Sequence, residues 1–382
     1  MLSDKVRTST YAQFILSTPD LFSNAVVLDV GCGTGILSLF AARAGARKVY
    51  AIDASDIAIK AREVVKRNGF DSIIEVIQGR VEDIQLPEKV DVVVSEWMGY
   101  ALLYESMLDS VLVARDRFLN SPSITPASPS DDSDSPTPRS LTGVLVPSQS
   151  HLLLTLANTH NTQFEKDLFT FWDDVYGFDM SPIPNRDTLF AESQVEVLPK
   201  ESLLTTDPAI VKDIHIGTIP SSSDLDFTSE FTLVSTSEKK KKLTAFVVYF
   251  DTFFTPSGSP ISAGTKVKNV TEDDPVLMDI WQVGSLATRR GIQRRKSSAS
   301  RGRRSLSRKS SSNETETLTR RVDSPERDAC NGTEEEHERI TSFSTSPFSI
   351  PTHWKQTLFL LREGEGDILE EGTLLLFLVG FC

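Results

Sequence analysis

Two glutamates lie close together in the segment SEWMGYALLYESMLDSV, which runs from Ser95 to Val111. Glu96 and Glu105 bracket a turn after a short apolar strand, and open α/β sheets bind ligands at the carboxyl ends of their strands. Two neighbouring carboxylates repel each other unless a cation lies between them. A guanidinium group is planar, permanently charged and rich in donors, so it meets that requirement. The alternative is a pair of solvated glutamates at the start of a helix.

Apolar and aromatic side chains surround these glutamates in the sequence and favour the binding hypothesis. They are Trp97, Met98, Tyr100 and Tyr104. Such neighbours would exclude part of the water around the carboxylates, which strengthens their attraction for a cation. We therefore predict that Met98 and Tyr100 line a substrate pocket.

A glycine-rich turn supplies a second group of candidate residues. It lies in VVLDVGCGTG and contains the alternating glycines Gly31, Gly33 and Gly35. Glycines let the chain turn sharply and let a ligand approach the backbone closely. Asp29 precedes the turn, and Asp53 ends the next predicted strand, where its carboxylate can accept a hydrogen bond from a ribose. A structural turn or a dinucleotide site is the alternative, but the G-x-G-x-G spacing and the acid before it favour a sulfonium ligand and hence a methyltransferase.

Three further positions are predicted to contact the same cofactor. Val81 and Glu82 follow the predicted strand Ile73–Ile77, where a backbone N–H and a carboxylate would meet an adenine edge. Arg7 could bind the cofactor's carboxylate through two parallel hydrogen bonds. Taken alone, charged residues such as Glu82 and Arg7 are more often ordinary surface residues.

The elements that position these residues alternate between strand and helix. The predicted strands are Val26–Val30, Lys48–Ile52, Ile73–Ile77 and Val90–Ser95, and the predicted helices are Ile36–Ala44 and Asp56–Asn68. Regular alternation of this kind predicts an α/β fold with a parallel sheet. We assign residues 1–147 to this cofactor domain.

The sequence after residue 147 has a different pattern. The alternating stretches HLLLTLA, FTLVST, LTAFVVYFDTFF and KQTLFLL predict a second, mostly antiparallel domain over residues 148–382. A helical segment at Phe164–Met180 interrupts it.

Two stretches of low complexity are predicted to be disordered inserts. The first, residues 121–142, is rich in Ser, Pro and Asp, and the second, residues 285–341, is basic and then acidic. In the second insert, RRKSS resembles a site for basophilic kinases. RRG and SRGRR are candidates for self-methylation or for a weak nuclear signal, and the alternative is a solvated loop without a role.

Composition narrows the classes of function. The chain has 382 residues and a net charge of −13, which argues against nucleic-acid binding and favours basic partners. Three widely spaced cysteines, Cys32, Cys330 and Cys382, predict neither a disulfide framework nor a zinc site. The N-terminus is too polar for a signal peptide, and the apolar run near the C-terminus is too short to cross a membrane. We expect a cytosolic or nuclear protein.

Together these motifs resemble the type I protein arginine methyltransferases, most closely their first and third members. The resemblance is carried by MLSDKVRT, VLDVGCGTGILSLFAA, SEWMGYALLYESMLDSV, FWDDVYGFDMS and THWKQT. It implies a Rossmann-like domain that binds S-adenosyl-L-methionine, followed by a β-barrel domain with a helical dimerisation arm at residues 164–184. It also implies a homodimer that forms monomethyl and asymmetric dimethyl arginine in Arg/Gly-rich proteins, such as RNA-binding, ribosomal or histone proteins, without a metal.

The resemblance assigns roles to individual residues. Glu96 and Glu105 would grip the guanidinium group of the acceptor arginine. His353, in the THW motif, would be an active-site residue paired with Asp4, although a lone histidine before a strand is usually structural. Met1 and Trp354 would complete the substrate pocket.

The chain departs from that family at both ends. The family has an aromatic-rich helix before the position of Met1, and the apolar run Leu374–Phe381 is unlike its last strands. These differences indicate a truncated gene model or a diverged member. One alternative hypothesis is therefore a catalytically impaired protein that acts as a dimerising scaffold. Another is a small-molecule methyltransferase, which the pair of glutamates disfavours.

Overall fold

The computed structural model describes residues 2–120, 143–160, 162–262, 264–271, 340–362 and 364–381. Met1 and the predicted insert at 121–142 lie outside the described residues. The predicted insert at 285–341 also lies outside them, except for its last two residues. Thr341 begins a strand, so the predicted end of that insert is one residue too late.

Within the described residues, the first part of the chain forms a five-stranded parallel sheet. Its strands are β1 (Val26–Val30), β2 (Lys48–Asp53), β3 (Ile74–Gln78), β4 (Val92–Ser95) and β5 (Val144–Val146). Their order is β3-β2-β1-β4-β5, and every adjacent pair is parallel. The order reverses between β1 and β4, which is where open sheets of this kind bind ligands. The predicted α/β fold is confirmed.

Helices accompany this sheet. They are α1 (Lys5–Ser17), α2 (Pro19–Phe22), α3 (Ile36–Arg43), α4 (Ile57–Asn68) and α5 (Met107–Phe118). The sequence predicts α3 and α4 to within one residue at each end, whereas it does not predict α1. The face that α1 buries includes Arg7, Ser9 and Thr10 as well as apolar side chains, so no clear apolar period marks the helix.

Antiparallel strands form the second part of the chain, as predicted. The larger sheet contains β6 (Gln149–Ala157), β7 (Gln194–Glu196), β8 (Ala209–His215), β11 (Ala245–Phe254), β12 (Thr341–Ser344) and β13 (Gln356–Leu360). The order is β7-β13-β11-β6-β8, with β12 also paired to β11. Two smaller sheets pair β9 (Phe227–Val234) with β15 (Leu374–Phe381) and β10 (Lys241–Lys242) with β14 (Ile368–Leu369). Closure of these strands into a β-barrel stays a prediction, as does the domain boundary after residue 147, although β5 and β6 lie on either side of it.

The predicted helix over 164–180 is wrong beyond its first turns. The segment contains a short α-helix followed by a 3-10 helix, and another short α-helix lies after it. These are α6 (Gln163–Leu168), Thr170–Asp173 and α7 (Arg186–Ala191). Tyr176 and Gly177 have positive φ, and the Gly177 N–H donates to the Asp174 carboxylate over 2.8 Å. This Asp-to-Gly turn reverses the chain despite the helical spacing of its apolar residues.

The apolar run near the C-terminus is strand β15, although the sequence alone made it look foreign to the fold. It pairs along its whole length with β9. Leu375, Phe377 and Val379 pack against the core, while the alternate side chains on the other face are exposed. Those side chains are Leu374, Leu376 and Leu378. In the part of the chain that the structure describes, no helix is both long and apolar enough to cross a membrane.

Candidate functional site

A cleft of about 390 Å³ lies at the carboxyl ends of β1, β2 and β3. This volume falls in the range of roughly 300–1,000 Å³ that is usual for small-molecule sites. Among the predicted cofactor residues, those in its wall are Gly31, Asp53, Val81 and Glu82. Val30, Met107 and Ser110 are among the other residues that line it.

The glycine turn has the backbone conformation that its sequence predicts. Gly31, Gly33 and Gly35 have φ angles of 72°, 53° and 82°, which side chains with a Cβ rarely adopt. A Cβ on Gly31 would also lie 2.2 Å from the Met107 methyl group. The Asp53 carboxylate ties the turn to the end of β2, because it accepts a hydrogen bond from the Gly33 N–H over 2.8 Å.

Glu82 presents an ionised carboxylate in the wall of the cleft. Its Oε1 accepts from the Ser110 hydroxyl over 2.6 Å, and Arg80 lies 3.4 Å from its Oε2. The Ser110 hydrogen bond, helped by Arg80 and opposed by burial, lowers the pKa of Glu82. A carboxylate held in the ionised form is a hydrogen-bond acceptor only.

Asp29 lies behind the glycine turn instead of in the cleft wall. Its side chain is buried, and its Oδ2 accepts from the Ser38 hydroxyl of α3 over 2.6 Å. Burial raises the pKa of Asp29 to about 6, against the effect of the Ser38 hydrogen bonds. Asp29 joins β1 to α3 and does not line the cleft, while its Oδ1 has no partner among the described residues; its contact with a cationic ligand stays a prediction.

Glu96 is buried at the end of β4 and forms an ion pair with Arg7 of α1. The Arg7 Nη1 lies 2.6 Å from the Glu96 Oε2, and both side chains are 5% exposed. Burial raises the pKa of Glu96, although the charges of Arg7 and His353 act in the opposite direction. Arg7 is therefore not a solvent-exposed residue, and its Nη1 donates to the Glu96 carboxylate. Its buried Nε has no partner among the described residues and can still donate to a ligand.

Glu105 does not share the desolvated environment that the sequence suggested. It is exposed, and the neighbouring Tyr104 is 80% exposed. Its charge nevertheless reaches Glu96 and contributes to the raised pKa of that residue. The loop between them folds back sharply, since a Cβ on Gly99 would lie 2.8 Å from the Glu105 backbone nitrogen. The two glutamates therefore present one buried and one exposed carboxylate.

Asp4 and His353 are brought together across 349 positions of sequence. The His353 Nδ1 and backbone nitrogen lie 2.7 and 2.9 Å from the Asp4 Oδ2. The other carboxylate oxygen caps α1 by accepting from the Arg7 N–H over 3.0 Å. Burial raises the pKa of Asp4, but the hydrogen bonds from His353 and Arg7 outweigh it and lower that pKa. The catalytic role of this pair stays a prediction.

Trp354, a predicted pocket residue, contacts the loop between the two glutamates at Met98, which is also a predicted pocket residue. Trp354 and Met98 are buried, and the Trp354 Nε1 donates to the Met98 carbonyl over 2.7 Å. The Trp354 ring also stacks on Phe343, with centroids 5.8 Å apart. Trp354 thus joins the two parts of the chain, and its place in the substrate pocket stays a prediction. Tyr100 is 38% exposed, so it remains accessible to a substrate.

Tyr11 contacts the site, although the sequence analysis did not predict it. The Tyr11 hydroxyl donates to the Ser95 carbonyl over 2.9 Å, immediately before Glu96. Tyr11 lies one helical turn after Arg7 on α1, so the two side chains share a face. That spacing would have identified it, had α1 been recognised as a helix. The described residues contain no group of three or more His, Cys, Asp or Glu side chains placed to hold a metal ion.

Comparison with known proteins identifies the family. Residues 14–111 match the profile described as ribosomal protein L11 methyltransferase (PrmA), and residues 153–272 match the arginine methyltransferase oligomerization subdomain. Protein arginine N-methyltransferase 1 of Schizosaccharomyces pombe is 42% identical over 266 residues, which are 69% of this chain and 70% of that protein. The chain belongs to the protein arginine N-methyltransferase family.

Other relatives extend this match. Probable protein arginine N-methyltransferase 6 of Arabidopsis thaliana is 35% identical over 381 residues, covering 98% of this chain and 71% of that protein. The match with protein arginine N-methyltransferase 1.1 of the same plant is 42% identical and covers 67% of this chain but 58% of that protein. The chain therefore spans between 58% and 71% of the length of these relatives.

Solved structures agree with the observed fold. The PRMT1 enzyme-prozyme heterotetrameric complex of Trypanosoma brucei with AdoHcy has a TM-score of 0.64 at 31% identity and covers 99% of this chain and 85% of that chain. Protein arginine methyltransferase 10 of Arabidopsis thaliana has a TM-score of 0.62 at 27% identity, and the match covers 97% of this chain and 83% of that chain. The predicted family is confirmed, and with it the enzyme class, a methyltransferase that uses S-adenosylmethionine. The match to the oligomerization subdomain supports assembly into oligomers in general terms.

We expect Asp4→Asn to destabilise the protein near neutral pH and to have less effect in acid. Because the pKa of Asp4 is lowered in the folded state, its ionised form stabilises the fold above pH 3.8, and this contribution is lost as the pH falls through the lowered pKa. Free energies of unfolding from urea titrations at several pH values between 7 and 2 measure the difference. The exposed Asp71→Asn is the control, and a pH-independent effect of Asp4→Asn would contradict the assignment.

We expect Asp53→Ala to weaken cofactor binding by roughly 10- to 100-fold, the usual range for hydrogen bonds to a charged group. The substitution removes a carboxylate from the cleft wall and frees the Gly33 N–H that it holds. Calorimetric titration with S-adenosylhomocysteine measures the affinity. Asp71→Ala, which removes an exposed carboxylate outside the cleft, should leave the affinity unchanged. Equal affinities for Asp53→Ala and the unaltered protein would remove Asp53 from the site.

Proposed function

We propose that this protein transfers methyl groups to arginine side chains of basic proteins and forms monomethyl and asymmetric dimethyl arginine. The observation that carries the proposal is the arrangement around Glu96. This buried carboxylate lies at the carboxyl end of β4 and holds a guanidinium group, that of Arg7, at 2.6 Å. The same carboxylate has free lone pairs for a second guanidinium group, and the cofactor cleft opens at the end of the neighbouring strand β1.

The residues of the cleft fit S-adenosylmethionine. When bound, this cofactor supplies an electrophilic methyl group on a sulfonium. The carboxylates of Asp53 and Glu82 accept hydrogen bonds from hydroxyl and amino groups. Arg7 does not line the cleft, but its unpartnered Nε is a charged donor of the kind that binds a carboxylate, so Arg7 would join the two ligand sites.

Glu96 and Glu105 would act on the acceptor arginine in different ways. Interactions with a charge are stronger where water is excluded, so the buried Glu96 would fix the orientation of the guanidinium group. The exposed Glu105 would attract it from the solvent side. Holding the arginine in one orientation lowers the barrier because the reacting groups no longer have to find each other by diffusion.

The Asp4–His353 pair would receive the proton that the arginine releases. A guanidinium group stays protonated in proteins, so it loses a proton during or after methyl transfer and not before. Asp4 holds the Nδ1 side of His353, which leaves Nε2 as the acceptor of a proton. The His353 side chain is 31% exposed, and the proton can pass from it to solvent.

Partners of two kinds follow from the charge and the surface of the chain. The net charge of −13 favours basic substrates, such as Arg/Gly-rich RNA-binding, ribosomal or histone proteins. We also propose a cytosolic or nuclear location. A second copy of the chain would cover the arm at residues 164–184. Its exposed apolar side chains include Phe171, Tyr176 and Phe178, of which Tyr176 is 97% exposed. Large exposed apolar side chains grouped in this way mark interaction surfaces.

We expect Glu96→Gln to lower kcat/KM for an Arg-Gly-Gly peptide by about 100-fold or more, since it removes one partner of a buried charge pair. Transfer of label from methyl-labelled S-adenosylmethionine measures the rate, and mass spectrometry of hydrolysed peptide identifies asymmetric dimethyl arginine. Because the pKa of Glu96 is raised, activity should fall on the acidic side at a pH above 4.5. Glu63→Gln, at an exposed position of α4, is the control. Absence of label with the unaltered protein would favour the scaffold alternative.

We expect Phe178→Ser to lower the fraction of dimer, because it removes an exposed aromatic side chain from the proposed interface. Light scattering after size exclusion compares the measured mass with the 42.3 kDa of one chain. Leu376→Ser removes an equally exposed apolar side chain from β15 and is the control. Dissociation caused by Leu376→Ser and not by Phe178→Ser would place the interface elsewhere.

A further inference from the structure

Two buried side chains hold the backbone on either side of Glu96. The Tyr11 hydroxyl donates to the Ser95 carbonyl over 2.9 Å, and the Trp354 Nε1 donates to the Met98 carbonyl over 2.7 Å. Tyr11 is fully buried and Trp354 is 3% exposed. The backbone is therefore held one residue before Glu96 and two residues after it.

These two hydrogen bonds act where the sheet no longer holds the chain. The pairing of β4 with β1 ends at Ser95, so Glu96 and the residues after it lack ladder hydrogen bonds to β1. The Ser95 hydroxyl donates to the Val30 carbonyl over 2.8 Å, which secures the last strand residue. Beyond that point, the position of Glu96 depends on its neighbours' contacts with other elements.

The two donors are themselves held in place by aromatic packing in the second part of the chain. The Tyr11 ring packs edge-on against Phe254, with centroids 4.9 Å apart and planes at 84°. The Trp354 ring packs in the same edge-on way against Phe250 at 5.1 Å. Edge-to-face aromatic pairs of this kind stabilise a packing arrangement beyond the burial of their area. Strand β11, which carries both phenylalanines, therefore determines where the two donors lie.

Helix α1 connects these contacts to the rest of the site. Asp4, Arg7 and Tyr11 lie near one face of the helix, at spacings of three and four residues. Asp4 contacts His353, Arg7 contacts the Glu96 carboxylate, and Tyr11 contacts the backbone before Glu96. The Glu96 side chain and its backbone thus both depend on the same helix.

We propose that Tyr11 is a positioning residue for methyl transfer. Its hydroxyl fixes the end of β4 and thereby the Glu96 carboxylate, while Trp354 fixes the loop on the other side. Tyr11 does not line the cofactor cleft, so it acts on the acceptor arginine through Glu96 and not on the cofactor. The inference rests on the proposed function, in which Glu96 holds the acceptor.

The test compares Tyr11→Phe with Tyr50→Phe. Both substitutions keep a buried ring and remove a hydrogen-bonded hydroxyl. The Tyr50 hydroxyl donates to Glu88 over 3.2 Å, and this partner lies outside residues 95–105. With an Arg-Gly-Gly peptide, Tyr11→Phe should lower kcat by about 10- to 100-fold, the effect of a small misplacement of a catalytic group. The KM for S-adenosylmethionine should stay within about twofold. Trp354→Phe should have the same effect as Tyr11→Phe, because it releases the loop from the other side.

Hydrogen–deuterium exchange provides a readout that does not depend on activity. Amides of residues 96–105 should exchange roughly fivefold faster in Tyr11→Phe, the factor expected for one lost hydrogen bond, and at an unchanged rate in Tyr50→Phe. Faster exchange in this loop together with an inactive unaltered protein would support the positioning contact and overturn the proposed function. An active protein in which Tyr11→Phe changes neither kcat nor this exchange would overturn the role of Tyr11.

Discussion

The buried ion pair between Arg7 and Glu96 is the interaction on which the site depends. A charge taken out of water is costly unless an opposite charge accompanies it, so Glu96 can lie at the end of β4 only if α1 is docked beside it. The same helix places Asp4 against His353 and Tyr11 against the Ser95 carbonyl. One electrostatic requirement therefore brings together the N-terminal helix, the switch point of the parallel sheet and the THW segment.

The two glutamates of the signature segment have different surroundings, and this difference has chemical consequences. Glu96 is buried and already bound to a guanidinium group, whereas Glu105 is exposed. A buried carboxylate orients a cation strongly, while an exposed one mainly raises the local concentration of cations. The buried Nε of Arg7 has no partner among the described residues, and in the proposed function it would bind the carboxylate of the cofactor while Arg7 holds Glu96. The acceptor and the methyl donor would then be linked through one side chain.

The antiparallel part of the chain contributes to the site as much as the parallel sheet does. It supplies His353 and Trp354, and the phenylalanines of β11 fix the rings of Tyr11 and Trp354. The site is formed only when the two parts of the chain pack against each other.

The sequence by itself determined the features that depend on residues close together along the chain. Apolar runs and helical spacing predicted β1, β2, α3 and α4, the alternating glycines predicted the cofactor turn, and the motifs predicted the family. Only the tertiary structure decided that Arg7 pairs with Glu96, that Glu105 is exposed, that Trp354 holds the Met98 carbonyl and that Tyr11 belongs to the site. The physical reason is distance along the chain. Periodicity reports which face of an element is apolar, whereas these contacts join residues 84 to 256 positions apart, and packing alone determines which of them meet.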